Sequence, residues 1–211
     1  MPRGFFHHWS AVLIALLGAG CGESGSTGDE AAVRALAPYA RTWQAAEPLY
    51  RDDAFNPVAE AVHAMRPEYS VQEIEDLLVV PADVDYTLLR VEGQTITFLN
   101  GATVLCAGRY SPRAAHDHAS ADAGAHEHAS RAFDLVATSE GECSTYALLD
   151  ISVIEVHGSR PHFHIIHGTT SGPLRPRPWN PAAWPTEMTP SEFAAAAMGA
   201  VSFFASALPP R

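Results

Sequence analysis

From Tyr86 onward, apolar and polar residues alternate in short runs separated by turn formers. The pattern predicts strands over Tyr86–Val91, Thr95–Leu99, Thr103–Cys106 and Phe133–Ala137, with Glu92-Gly93 and Asn100-Gly101 between the first three. Short strands joined by such dipeptides form an antiparallel meander. Two further runs rich in Val, Ile and Leu, within Thr145–Gly168, flank Gly158-Ser159-Arg160-Pro161 and read as a β-hairpin. Some six short strands leave edges that must be closed or covered, which favours an antiparallel barrel over an open sheet. Helices flank this region. The Ala-rich stretch Glu30–Met65 is interrupted by Pro38, Pro48 and Pro57 and predicts two or three short helices, with Trp43, Leu49, Tyr50 and Phe55 as core residues. A helix over Val71–Leu78 carries a capping box from Ser70 and Glu73. Pro173–Pro190 reads as an ordered wrap, and Pro190-Ser191-Glu192 opens a last helix over Phe193–Ala207.

The second arm of the hairpin begins His162-Phe163-His164. Strand side chains alternate between faces, so the two imidazoles point the same way, about 7 Å apart along the strand. That is a metal-ligand spacing. A turn closing with His157 opposite His162 sets Glu155 opposite His164, and all four donors then share one face near the tip. A slip of one residue turns His157 and Glu155 away. The bland alternative is a set of polar residues on a wet sheet face; His63, which is isolated, is read in that structural way.

A second concentration of donors lies between the strands, at residues 113–130. The segment holds His116-Asp117-His118 and His126-Glu127-His128 among Ala, Ser, Gly and Asp, with too few apolar residues to pack. It is expected to be a mobile loop that captures divalent cations weakly and exchanges them fast. The alternative is a solvated low-complexity insertion.

The N-terminus changes the picture of where this chemistry operates. Arg3, the apolar run Ala11–Leu17 and the small residues Gly18-Ala19-Gly20 before Cys21 read as a signal peptide over residues 1–20, the run being too short to span a bilayer. Small residues before a Cys resemble the lipobox of bacterial lipoproteins, which implies acylation of Cys21 and a lipid anchor; an ordinary cleaved signal with a free Cys21 is the alternative. Residues 21–29 then form a flexible tether, and 30–211 a single domain. Such a protein faces the periplasm from a bacterial membrane. A formal charge of −11 with only 13 Lys+Arg argues against nucleic acid as a partner. In an oxidising envelope Cys106 and Cys143 can pair; two buried thiols are the alternative.

Four separated segments resemble the ZinT proteins of the bacterial periplasm, which share their domain with the C-terminal part of AdcA-type zinc-binding lipoproteins. They are Trp43-Gln44 with Pro48-Leu49; Val91-Glu92-Gly93 to Phe98 with Cys106; His162-Phe163-His164-Ile165 with Gly168; and Trp184-Pro185-Thr186 with Ser191-Glu192. Their order and approximate spacing agree from about Tyr39 to Met198. The resemblance implies a lipocalin-like (calycin) barrel with helices at its ends and a zinc site of three His inside it. His162 and His164 match two of those ligands. The third position is Val153 here, whose aliphatic side chain cannot bind zinc. His157 and Glu155, further along the same alternating face, are the expected substitutes, with Glu155 or water fourth. The family's second Cys aligns near Ala137, so Cys143 is displaced, and the His-rich segment interrupts the barrel at a place where related proteins do not carry one.

The resulting expectation is a lipid-anchored envelope protein, not an enzyme, that captures Zn2+ and buffers it or hands it on, with a zinc ABC transporter binding protein as a candidate recipient. Cd2+, Ni2+ or Cu2+ can also occupy imidazole sites, and binding weakens below about pH 6 as His protonates. The rival readings are a lipocalin-like carrier of a small apolar molecule, a zinc hydrolase using an open coordination position, and a structural lipoprotein with a degraded site.

Overall fold

The structure, a computed structural model, describes residues 26–79, 84–117, 131–137, 143–157, 160–168 and 181–211. Eight antiparallel strands close a barrel: β1 (Thr42–Ala45), β2 (Leu88–Glu92), β3 (Thr95–Asn100), β4 (Thr103–Asp117), β5 (Arg131–Ala137), β6 (Leu148–Ser152), β8 (Arg160–Gly168) and β9 (Ala182–Pro185). They pair in chain order to β6, which pairs with β8; β8 pairs with β9 and β9 with β1. The short strand β7 (Glu155–His157) pairs with the beginning of β8.

The meander follows from its turns. Gly93 and Gly101 each open a two-residue connection at φ +59° and +57°, a conformation only glycine adopts without strain. Inward residues of all eight barrel strands form one core, with Trp43, Leu89, Ile96, Phe98, Leu149 and Phe163 fully or almost fully buried. Cys106 on β4 is bonded to Cys143, Cα to Cα 5.4 Å. Gly108 leaves room for that bridge, since a Cβ there would lie 3.0 Å from the Cys143 sulfur.

A second core lies outside the barrel wall. Leu49, Phe55, Val58, Ile74, Phe193 and Phe204 gather helices α2 (Glu47–Tyr50), α3 (Asn56–Met65), α4 (Val71–Val79), α5 (Pro190–Met198) and α6 (Val201–Ala207) onto Trp184 of β9. α4 starts at the expected capping box, the Ser70 N–H donating to Glu73 Oε2 at 2.8 Å and the Glu73 N–H to Ser70 Oγ at 3.3 Å.

Several sequence expectations need correction. Trp43 lies in a barrel strand, not a helix, because Thr42–Ala45 supplies the backbone partners that β2 and β9 need. Residues 182–185 are the closing strand rather than a wrap. The last helix is two, divided at Gly199-Ala200. Helix α1 (Ser26–Leu36) begins inside the expected tether. β4 runs through residues 113–117 of the expected loop, held by cross-strand pairing to Asp117↔Arg131. Residues 1–25, with Cys21, and residues 118–130 lie outside the described residues. Among the described residues, no helix is long and apolar enough to cross a membrane.

Candidate metal centre

Alternation along β8 decides where its histidines point. Phe163 and Ile165 are fully buried in the barrel core, Phe163 edge-on to both Trp43 and Tyr39 at 5.0 Å. His162 and His164 therefore occupy the opposite, outer face of the wall. The helical layer covers that face at His162, which is 2% exposed. Its imidazole lies flat on the Trp184 indole, ring centroids 4.3 Å apart and planes at 11°, and Trp184 packs edge-on to Phe193 of α5 at 5.5 Å. The expectation of a site inside the barrel is thus corrected: the apolar residues of His-Phe-His-Ile take the interior.

Glu155 reaches the same outer face through a bulge. Ile151 pairs with Ile165, whereas Glu155 pairs with His162, so Ser152, Val153 and Ile154 stand against only His164 and Phe163. The Ser152 hydroxyl accepts the His164 N–H at 2.9 Å, and the Ser152 carbonyl accepts the Tyr39 hydroxyl at 2.7 Å, which anchors the irregularity from both sides. Ile154 packs toward the barrel core, leaving Glu155 on the outside. Regular alternation from Ser152 would instead have set Ile154 opposite His162 and Glu155 inward. Val153, 37% exposed, lies between the two strands and brings no donor.

This register also corrects the expected pairing. His157 stands opposite Arg160, two positions nearer the tip than anticipated, and His162 faces Glu155. The side chain of His157 lies outside what the structure describes.

Glu155, His162 and His164 each offer a ligand atom, and the three atoms all lie within 4.8 Å of one another. His162 Nε2 is 3.9 Å from Glu155 Oε2, and the two imidazoles meet nearly perpendicular at 5.3 Å between centroids. Tetrahedral zinc with bonds of about 2.0–2.2 Å needs donors roughly 3.3–3.6 Å apart. A contraction of about 1 Å, within reach of side-chain rotation on strands, makes this group fit a zinc-sized ion. Two imidazoles and a carboxylate are donors suited to zinc and other borderline divalent metals.

Neighbouring contacts fix the arms. Arg160, at the start of β8, pairs with one oxygen of Glu192, whose other oxygen accepts from the Thr189 N–H and hydroxyl, both at 3.0 Å, in the α5 capping box. These bonds hold the Glu192 carboxyl below its usual range, the Thr189 backbone bond contributing most. His116 and Asp117 belong by backbone to β4, whereas His118, His126, Glu127 and His128 lie outside the described residues. His63 Nδ1 lies 2.6 Å from the Tyr69 carbonyl, a structural contact. Ser152, Tyr39 and Trp184 were not singled out for the site from sequence. A Trp opposite a His on a neighbouring strand is a detectable signal only once the β8–β9 register is known.

Among the solved structures that this architecture resembles are two from Streptococcus pneumoniae. One is the Zn(II)-bound ZinT-like domain of AdcA, with a TM-score of 0.57, 18% identity, and coverage of 77% of this chain and 89% of that one. The fold is that of a ZinT-like domain. The other is Zn(II)-bound AdcA itself, again with a TM-score of 0.57 and 18% identity, covering 75% of this chain. The chain spans about a third (34%) of the length of AdcA. No family model matches the sequence, and no curated protein matches it significantly. The ZinT-like fold accounts for the barrel and its helical layer, while the approach of Glu155, His162 and His164 follows from the register of this chain's own strands.

Proposed function

We propose that this chain binds Zn2+ as cargo through Glu155, His162 and His164, and that it serves in the cell envelope to capture zinc and to buffer it or pass it on. The observation that carries the reading is the convergence of three donor atoms within 4.8 Å on a ZinT-like fold. His157, two residues beyond Glu155, is the candidate for a fourth donor, with water as the alternative.

A capturing role for the His-rich segment is supported by the strand residues that flank it. β4 and β5 pair as far as Asp117↔Arg131, and Ala132 pairs with Ser152, the residue that holds the His164 amide. Asp117 and Arg131, the described residues on either side of 118–130, therefore lie by backbone at the rim that bears the three donors. In this reading His116, Asp117, His118, His126, Glu127 and His128 bind ions with fast exchange and the preorganised group retains them. Acylation of Cys21 would keep the assembly at a bacterial membrane, and a zinc ABC transporter binding protein is the proposed recipient. Cd2+, Ni2+ and Cu2+ are competitors for the same imidazoles.

Zinc titration against a competing chelator tests the reading, with elemental analysis of protein purified without chelator. Losing a ligand should cost more than the roughly 10–100-fold typical of outer-shell partners, so H162A and H164A are expected to fall at least that far. Unchanged affinity in both would remove the site. H157A separates the fourth-donor alternatives: unchanged affinity assigns that place to water. A variant lacking residues 116–128 is expected to bind fewer ions while keeping the tight one.

A further inference from the structure

The imidazole of His162 has a partner that no metal-ligand argument requires. A His ring turns broadly about its last side-chain bond, so a strand position alone does not settle which way its nitrogens face. Here the ring plane is set by Trp184. The pairs Phe163↔Ala183 and His164↔Ala182 set Trp184 directly across from His162, and the rings lie face to face at 4.3 Å and 11°. The indole is itself held edge-on by Phe193 at 5.5 Å, and α5 is tied to the start of β8 through Glu192 and Arg160. The His162 ring is further flanked by the perpendicular ring of His164.

We infer that Trp184 is a positioning residue of the metal centre, fixing the plane of the His162 imidazole so that Nε2 faces Glu155. The inference rests on the zinc reading above. A ring stacked on a braced indole keeps its plane whether or not an ion is present, so the donor enters the bound geometry without a search over orientations. Metal coordination draws electron density from the imidazole, and indole is the most favourable aromatic face for a ring carrying positive charge. The contact therefore strengthens on loading rather than opposing it.

The test uses the full chain, with zinc affinity from chelator competition and the visible spectrum of the Co2+-substituted protein. W184L removes the aromatic face and is expected to weaken zinc roughly 10–100-fold and to alter the cobalt spectrum, whereas W184F restores affinity to within about 3-fold. H162A is measured beside them. If H162A binds as tightly as wild type, the site itself is wrong and the positioning role falls with it. If H162A is impaired and W184L matches wild type in affinity and spectrum, the role of Trp184 alone is overturned. Should W184L fail to fold by circular dichroism, the decision passes to NMR of the wild-type protein. Ring-current displacement of the His162 carbon-bound protons that persists on zinc addition supports the stack, and its disappearance on loading refutes it.

Discussion

Glu155→Gln is the most informative single change at the donor group, because it keeps the shape of the side chain while removing its charge. Glu155 is partly exposed, and its carboxylate stands 3.9 Å from His162 Nε2. Without metal the variant should melt near wild type, within about 0.5 kcal/mol, as expected for a position outside the core. With metal the two should separate. At free zinc 100 times its dissociation constant, the wild-type protein gains about 2.7 kcal/mol. Loss of an anionic ligand that weakens binding by about two orders leaves roughly 0.4 kcal/mol at the same zinc concentration. For a domain of this size, 1 kcal/mol corresponds to about 2–4 °C, so zinc should raise the wild-type melting temperature by about 5–11 °C and that of the variant by 1–2 °C. Thermal melts with buffered zinc, followed by circular dichroism, measure both. A variant that retains the full zinc-induced rise would show that Glu155 is not a ligand and that the bulge does not serve to present it.

Tyr39→Phe should destabilise the protein by about 1–3 kcal/mol in urea unfolding, since the buried Ser152 carbonyl loses the hydroxyl that reaches it at 2.7 Å. Part of that loss should appear as weaker zinc binding, because the same residue anchors the bulge. Glu192→Gln tests the ionised Glu192 carboxylate, which caps α5 through Thr189 and pairs with Arg160, through its pH dependence. The folded carboxyl lies below its ordinary value of 4.5, so its stabilisation is complete above that pH and is lost as pH falls through the lowered value. The gap in melting temperature between wild type and variant should accordingly be full at pH 7 and close progressively below pH 4.5; a gap constant with pH would exclude a stabilising role for the ionised carboxylate.

How far the sequence foretold this structure depends on whether the deciding interaction is local. Gly93, Gly101 and the Ser70/Glu73 box act within four residues, and β2, β3 and α4 appear with small shifts at their ends, whereas β4, begun where expected, runs on to Asp117 through its pairing with β5. The His-x-His spacing likewise placed His162 and His164 on one face. That the face is the outer one follows from Phe163 and Ile165, whose burial in the barrel outweighs any preference of an imidazole. That signal is local to the strand and legible in the sequence. β1 and β9 were out of reach, being four residues each in Ala- and Pro-rich surroundings and defined by pairing with strands far along the chain. The bulge was equally hidden, since nothing in Ser152-Val153-Ile154 departs from an ordinary strand pattern, and only the distant Tyr39 hydroxyl and the His164 amide reveal it.

The extra residue between β6 and β7 makes donor identity a matter of counting rather than of chemistry. Because the protruding position is Val153, a lineage that loses it could return the arm to plain alternation and still present Glu155 to His162; one that gains a further residue there would exchange the acid for an aliphatic neighbour. A single-codon insertion, ordinarily tolerated only in loops, would here replace the carboxylate beside His162 while every existing residue stayed the same.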